Sequence, residues 1–241
     1  MHLLRKVKEL HFQTILFGIR IGLKALIMSF LFLSVYYTLC FAFIAPQRTP
    51  LMLKRMLEQY RNGEEVFYYH EWVPIGDISP HLAQAVVASE DNRFTKHYGI
   101  DFGAIKKARA YNQQSNRRKR GASTISQQTA KNVFLWPKRS YLRKGFEVYF
   151  TLLIETFWSK KRIMEVYLNM IEMGPGIYGA EAASQYYFRK PASKLNNAEA
   201  AMLAISLPNP RKRNPAKPTA YMYRRQQDIL SLMRKIGNIE W

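Results

Sequence analysis

Cysteine is almost absent from this sequence. One residue, Cys40, occurs among 241, so a disulfide within the chain and a cysteine-based zinc site are both excluded. Cys40 also lies in an apolar segment. Thiol content therefore gives no indication of compartment, which has to be inferred from membrane topology.

Acidic residues are scarce as well. The chain has 37 lysines and arginines against 17 aspartates and glutamates, a net charge of +20. From Phe102 to Phe146 there are 12 basic residues and no acidic one. This imbalance predicts an anionic partner, which can be nucleic acid, anionic lipid or a phosphorylated substrate. With 48% hydrophobic residues, the chain is expected to be globular rather than disordered.

Charge disappears completely between Ala25 and Ala45. These 21 residues are enough to cross a hydrocarbon core of about 30 Å as a helix. A signal peptide has a shorter apolar region and a small-residue cleavage site, whereas Pro46 follows this run. A buried core helix usually keeps a polar stripe, and none is present here. We therefore expect one retained transmembrane helix at 25–45.

The charges before this segment predict its orientation. Five basic residues precede it and only Glu9 opposes them. The basic residues are Arg5, Lys6, Lys8, Arg20 and Lys24. The positive-inside rule then places the tail, 1–24, in the cytoplasm. A helical stalk at 46–63 and a domain at 64–241 are expected on the outer side, which is the periplasm in a Gram-negative cell.

Strand-like alternation is rare, and helical signals dominate. Only a short stretch around Val66 to Tyr68 suggests a strand, whereas Ser79-Pro80 is a typical helix start. We predict a mainly α-helical domain with helices from Pro80 and at 123–132, 140–158, 160–171, 178–187, 196–207 and 218–236. The segment 113–120 has loop composition, and we expect its basic residues, Arg117, Arg118, Lys119 and Arg120, to be solvated and mobile.

Two adjacent carboxylates, Glu90 and Asp91, end an apolar helix. Glu90 comes eight residues after Leu82 and four after Val86, which places it beside the buried stripe of that helix. Burial raises the pKa of a carboxyl group by desolvation and suits it to general acid or base catalysis. The pattern alone favours an ordinary surface Glu-Asp pair at a helix end over a catalytic pair.

Polar and basic residues follow on two further helices. Thr124, Gln128 and Lys131 are spaced i, i+4 and i+7, so they share a face that can donate hydrogen bonds to a phosphate or a sugar. Arg143 and Glu147 are spaced i, i+4 and can form an ion pair. A solvated helix face and a routine salt bridge remain as alternatives at this point.

Five segments resemble, in order, the motifs of the peptidoglycan glycosyltransferase family. They are EDNRFTKHYGID from Glu90, GASTISQQTAKN from Gly121, RKGFE from Arg143, RIMEVYLN from Arg162 and GAEAASQYYFRKPASKL from Gly179. The resemblance covers roughly residues 64–231. One departure is Thr129, where members often have an apolar residue. Because the motifs run close to the end of the chain, we expect a monofunctional member without a penicillin-binding transpeptidase module.

The resemblance implies a lysozyme-like helical fold with a smaller membrane-proximal lobe, preceded by one transmembrane helix. It also implies polymerisation of lipid II into β-1,4-linked glycan, with release of undecaprenyl pyrophosphate. Glu90 matches the catalytic base and Glu147 the second catalytic carboxylate. Substrate-binding positions match Thr124, Gln127, Gln128, Lys131, Arg139 and Arg143, and supporting positions match Asp91, Phe94 and His97.

The resemblance implies no obligatory cofactor, and it leaves open a divalent cation, Mg²⁺ or Mn²⁺, at the pyrophosphate with Glu147 as ligand. Expected partners are lipid II, the lipid-linked growing glycan, anionic lipids of the bacterial inner membrane, and proteins of cell-wall synthesis or division. Two alternatives stay open. A lytic enzyme that cleaves glycan strands would not need so basic a site. A nucleic-acid binder is not expected, because helix-turn-helix, zinc and RNP signatures are lacking.

Overall fold

The computed structural model describes residues 2–114 and 121–241. The chain divides into two units, of which the first ends at Phe43 and the second comprises Ile44–Trp241.

The first unit is one helix, α1, at His2–Phe43. Its segment His11–Phe43, 33 residues with a mean hydropathy of 2.0, is long and apolar enough to cross a membrane. The helix is longer than the predicted span of 25–45 and includes most of the basic tail. It ends at Phe43, short of Ala45, because residues that approach a proline, here Pro46, are biased away from helical dihedral angles.

The second unit is mainly helical, as predicted. Its described helices are α2 Pro50–Arg61, α3 Pro80–Glu90, α4 Phe102–Gln114, α5 Ile125–Phe134, α6 Tyr141–Phe157, α7 Lys160–Met170, α8 Ala180–Phe188, α9 Asn197–Ser206 and α10 Ala220–Ile236. Helix α3 packs with α9 and α10, and α5 packs with α6 and α7. The segment predicted as a stalk contains α2, which packs against α5 and has one buried residue, Met52.

A small sheet joins distant parts of the chain. Its strands are β1 Tyr69–His70, β2 Glu172–Gly174 and β3 Ile177–Tyr178, in the order β1-β3-β2. Strand β1 is parallel to β3, and β2 is antiparallel to it. The strand predicted around 66–68 was placed too early, because Val66 and Phe67 are exposed and Phe67 N–H bonds the side chain of Gln59 instead.

Asn169 of α7 contacts both Gly179, which follows β3, and Val73, which follows β1. Gly179 has a φ of 84°, and a Cβ there would lie 2.6 Å from the carbonyl oxygen of Asn169, so the position requires glycine. The fully buried Asn169 side chain accepts from Val73 N–H at 3.0 Å and donates to Val73 C=O at 2.9 Å. Asn169 therefore has a structural role in this motif.

No sequence pattern predicted helix α4. None of its residues is buried, so no apolar stripe marks it, and its start is capped by Asp101, which accepts from Ala104 N–H at 2.9 Å. The predicted loop at 113–120 is wrong at Gln113 and Gln114, which are helical because α4 continues through them. The basic residues 117–120 of that loop lie outside the described residues.

Candidate active site

Glu90 is the last residue of α3 and reaches the side chain of Gln128 on α5. Gln128 Nε2 donates to Glu90 Oε2 at 3.0 Å, and Tyr167 Oη lies 3.4 Å from Gln128 Oε1 on the other side of the amide. Tyr167 is only 1% exposed. The buried Tyr167 thus holds the Gln128 amide in position, and this amide holds the Glu90 carboxylate in position.

Burial raises the pKa of Glu90 above its ordinary value. Its hydrogen bond from Gln128 and the positive charges of Arg213 and Arg225 lower the pKa in part, whereas the charge of Asp91 raises it further. The desolvation expected from the helical spacing is therefore present. A carboxylate with a raised pKa and one hydrogen-bond donor keeps enough basicity to accept a proton.

Asp91 ties the end of α3 to the start of α5. It is 8% exposed, its carboxylate lies 3.0 Å from His97 Nε2, and it accepts from Ile125 N–H at 3.1 Å. Phe94 is fully buried and packs edge-on against His97 at 6.5 Å between ring centroids. The three predicted supporting residues therefore form one scaffold behind Glu90.

Thr124 caps helix α5, which starts at Ile125, two residues after the predicted start at 123. Its hydroxyl accepts from Gln127 N–H at 3.1 Å and donates to Gly99 C=O at 2.6 Å, while Gln127 Oε1 accepts from Thr124 N–H at 3.1 Å. Thr124 is 2% exposed. The structure thus directs this side chain into the scaffold, and Gln127 shares the capping box while also lining the cavity described next.

A cavity of about 460 Å³ lies between α2, α5 and the start of α6. Six basic side chains and one carboxylate line it in the described part of the chain. Of the predicted site residues it includes Gln127, Gln128, Lys131, Arg139, Arg143 and Glu147, and the further cations are Lys54, Arg55 and Lys144. Because Gln128 lines this cavity and also binds Glu90, the candidate base lies next to a strongly cationic site.

Glu147 is the buried counter-ion of this cavity. It is 3% exposed, accepts from Arg143 Nη1 at 2.7 Å, and forms a second ion pair with Lys144. The i, i+4 pair predicted from the sequence is therefore confirmed. Arg143 is in turn positioned by Ser140, which caps α6.

Lys131 lies in the cavity with its charge poorly compensated. Burial lowers the pKa of Lys131, Glu147 partly opposes this, and the charges of Arg143, Lys144 and Arg139 lower the pKa further. An ammonium group that is destabilised in this way gains most when an anion arrives beside it.

Thr129, the departure from the family pattern, is buried and satisfied. It is 1% exposed, and its hydroxyl donates to Ile125 C=O at 2.9 Å. Because the hydroxyl has a partner within its own helix, a threonine fits where an apolar residue is common.

Two arginines near Glu90 are missing from the sequence-based list. Arg213 and Arg225 act on its pKa from a loop and from α10, more than a hundred residues away along the chain. Arg213 donates to Ile205 C=O at 2.6 Å, and Arg225 pairs with Asp228 at 3.5 Å. In the sequence, only their positive charge could have marked them, and the chain has 37 lysines and arginines.

A helical domain with a desolvated carboxylate beside a cationic cavity defines an enzyme that performs acid–base chemistry on an anionic substrate. The family model for transglycosylases matches residues 56–234. The chain therefore belongs to the transglycosylase family, and it is a peptidoglycan glycosyltransferase with the lysozyme-like helical domain of that family.

Relatives agree with this assignment over most of the chain. A biosynthetic peptidoglycan transglycosylase of Bacteroides thetaiotaomicron is 54% identical over 213 residues, 88% of this chain and 86% of the relative. Proteins of the same name from Bdellovibrio bacteriovorus and Yersinia pseudotuberculosis are each 50% identical. They cover 86% and 83% of this chain, and 82% and 83% of their own lengths.

Proposed function

We propose that this site polymerises lipid II with Glu90 as the general base. The observation that carries the proposal is the contact of Glu90 with Gln128, because Gln128 also lines the cationic cavity. That contact puts a group able to accept a proton next to a group of charges able to hold a pyrophosphate. Glycosyl transfer from a lipid pyrophosphate needs both functions at one place.

In this mechanism the acceptor is lipid II and the donor is the growing lipid-linked glycan. Glu90 takes the proton of the acceptor 4-hydroxyl while the oxygen attacks the anomeric carbon of the donor. The bond between that carbon and the pyrophosphate oxygen breaks, and undecaprenyl pyrophosphate leaves. One displacement inverts the configuration from α to β and requires no covalent enzyme intermediate.

The leaving group would be held by Lys131, Arg139 and Arg143. Charge that develops on a leaving oxygen is stabilised best by cations already fixed in place. Glu147 fixes Arg143 and Lys144, and the poor compensation of Lys131 leaves it ready for an anion. Glu147 thus serves as the counter-ion that orders the cations, while Gln127 and Gln128 contact the substrate from the cavity wall.

A protein-bound divalent metal does not fit the residues around Glu147. Both of its carboxylate oxygens are engaged by Arg143 and Lys144, and neighbouring cations oppose a further positive ion. No group of three His, Cys, Asp or Glu side chains able to hold a metal occurs in the described residues.

We also propose that the catalytic domain works in the periplasm, on the surface of the inner membrane. The basic residues in the first part of α1, before its apolar run, favour a cytoplasmic N-terminus. Exposed apolar side chains at the start of α6, Tyr141 and Leu142, are 100% and 68% exposed, and such residues beside basic ones suit an interface with anionic lipid. Proteins of cell-wall synthesis or division are the partners we expect there.

The test is polymerisation of labelled lipid II by the full chain in detergent. We expect glycan chains that grow with time and release of undecaprenyl pyrophosphate. A parallel reaction with finished peptidoglycan examines the lytic alternative. Cleavage of finished strands without polymerisation of lipid II would contradict the proposed function.

A further inference from the structure

A second cavity, the acidic cavity, lies next to the cationic one. It has a volume of about 650 Å³ and shares Arg55 with the cationic cavity. Four glutamates line it, Glu58, Glu64, Glu65 and Glu172, against two arginines, Arg55 and Arg211. The chain has only 17 acidic residues and a net charge of +20, so an acidic cavity beside a cationic one is a local reversal of charge.

Glu172 is the most buried of these carboxylates, and one of its oxygens has an ion-pair partner but no hydrogen bond in the described part of the chain. It is 7% exposed, and its Oε1 has no hydrogen-bond partner among the described residues. The Nε of Arg55 is 3.6 Å from this oxygen, beyond hydrogen-bond distance, and is itself without a partner in the same part of the chain. Burial raises the pKa of Glu172. A buried polar atom left without a partner is costly, so this arrangement points to a missing donor.

The neighbouring Tyr178 has the same deficiency. It is 1% exposed, and within the described chain its hydroxyl has no partner. Burial, and after it the charge of Glu172, raises the pKa of Tyr178. A ligand that donates hydrogen bonds and carries positive charge would satisfy the carboxylate. A phosphate or carboxylate is disfavoured there, because the four glutamates outnumber the two arginines of the cavity.

We propose that the acidic cavity binds the side-chain ammonium group of the stem peptide, which is the short peptide that lipid II carries on its disaccharide. The inference rests on the proposed function, since it takes the substrate from there. Arg55 lines both cavities, so the two sites are close enough for one substrate to place its pyrophosphate among the cations and its peptide amine among the glutamates. A volume of 650 Å³ is in the usual range for a site of this kind.

The kinetic test compares two substrates, lipid II with a free stem amine and lipid II with that amine acetylated. For the unaltered chain we expect acetylation to raise KM about tenfold, the effect of one hydrogen-bonded charge pair, with kcat nearly unchanged. Glu172→Gln should raise KM for the free amine by a similar factor and remove the distinction between the two substrates, since both changes delete the same contact. Glu71→Gln, at an exposed glutamate outside the cavity, should keep the distinction.

A binding measurement separates this inference from the proposed function. The free stem peptide and its side-chain N-acetyl derivative are titrated into the detergent-solubilised full chain and followed by NMR line broadening of the peptide. The free amine should bind at least about tenfold more tightly, and Glu172→Gln should abolish the difference. Thermal unfolding checks that this variant folds, and Glu58→Gln, at a half-exposed wall residue, serves as a second variant.

Equal binding of the two peptides by the unaltered chain would overturn the inference, whatever the result with lipid II. It would mean that the unpaired atoms of Glu172 and Tyr178 are satisfied by a buried water alone. Failure to polymerise lipid II, together with selective binding of the free amine, would instead overturn the proposed function and leave the amine site standing.

Discussion

Gln128 Nε2 donates a hydrogen bond to Glu90 Oε2 over 3.0 Å, so one amide connects the wall of the cationic cavity to the candidate base. Four other influences act on the pKa of Glu90. Burial raises it most, Arg213 and Arg225 lower it, and Asp91 raises it. The amide is therefore the contact that most directly sets the proton affinity of this carboxylate.

Gln128→Met keeps the side-chain length and removes the hydrogen bond. The pKa of Glu90 should then rise further, so the base becomes protonated at a higher pH. We expect the acidic limb of kcat/KM against pH to move to higher pH. The loss of activity should exceed about tenfold on that limb, because hydrogen bonds to charged groups contribute about 1.5–3 kcal/mol, and should shrink at alkaline pH.

Gln84→Met is a matched control for this profile. Gln84 lies on α3 like Glu90, but its amide bonds the carbonyls of Met233 and Gly237. Loss of the Gln84 amide should lower the stability of the protein without moving the acidic limb of the kcat/KM profile against pH. Identical profiles for Gln128→Met and the unaltered chain would show that the amide does not tune Glu90.

The sequence predicted some contacts of the candidate site better than it predicted the elements around the site. Helical spacing alone placed Glu90 beside the core and Arg143 beside Glu147, because local periodicity decides both contacts. Helix α4 has no buried residue, so periodicity could not reveal it. Strand β1 depends on pairing with β3, more than a hundred residues away, which no local pattern encodes.

Function also depends on relationships that only the folded chain provides. The sequence grouped Thr124 with Gln128 and Lys131 on one face, but the capping geometry turns its hydroxyl to Gly99 C=O. Arg213 reaches the surroundings of Glu90 through the packing of α3 against α9 and α10. Spacing identifies the helix face, whereas the cap and the tertiary contacts decide which side chains face the substrate.

Glu147→Gln should impair polymerisation without abolishing it. The amide cannot neutralise Arg143 and Lys144, so the cations that hold the pyrophosphate lose their common partner. We expect kcat/KM to fall about tenfold to a hundredfold, as for loss of a hydrogen-bonded charge pair of about 1.5–3 kcal/mol. The effect should weaken when salt is raised, since salt screens the freed cations.

Glu155→Gln provides the comparison on the same helix. Glu155 is also buried in α6 and pairs with Lys160 at 2.7 Å, but it does not line the cationic cavity. The Glu155→Gln substitution should lower the melting temperature more than it lowers kcat/KM. Full activity of Glu147→Gln would show that Glu147 does not order the site.

Thr124→Ala should act through stability. Removal of a helix cap costs about 0.5–2 kcal/mol, and this cap also anchors Gly99 C=O. We expect a lower melting temperature, and activity that recovers at low temperature, where α5 is fully formed. Thr124→Ser keeps the hydroxyl and should restore most of the stability. Strong loss of activity in a fully stable Thr124→Ala protein would place this side chain on the substrate instead.

The membrane-anchor prediction concerns the apolar run of α1 and the basic residues that precede this run in the same helix. A reporter enzyme that is active only outside the cytoplasm, fused after residue 50, should be active. The matched control is the same reporter fused after residue 24, before the apolar run, which should be silent. Activity of a cytoplasm-only reporter at residue 50 would reverse the orientation.

The central claim is that Glu90 accepts the proton of the acceptor hydroxyl. Glu90→Gln keeps the size and the contact with Gln128 but cannot take the proton. Because the raised pKa makes the ionised form of Glu90 unfavourable in the folded state, stability of the unaltered chain falls as pH rises through the interval between the ordinary and the raised value. The variant should therefore be at least as stable above that interval.

The most direct measurement is single-turnover coupling of lipid II by Glu90→Gln beside Asp91→Asn. A positioned base contributes about 10²–10⁴ in rate, so Glu90→Gln should be at least about a hundredfold slower while it still binds lipid II. Asp91→Asn, which weakens the contacts to His97 and Ile125, should lose less rate and more stability. If Glu90→Gln instead retains more than about a tenth of the rate and Asp91→Asn abolishes it, Glu90 is not the base.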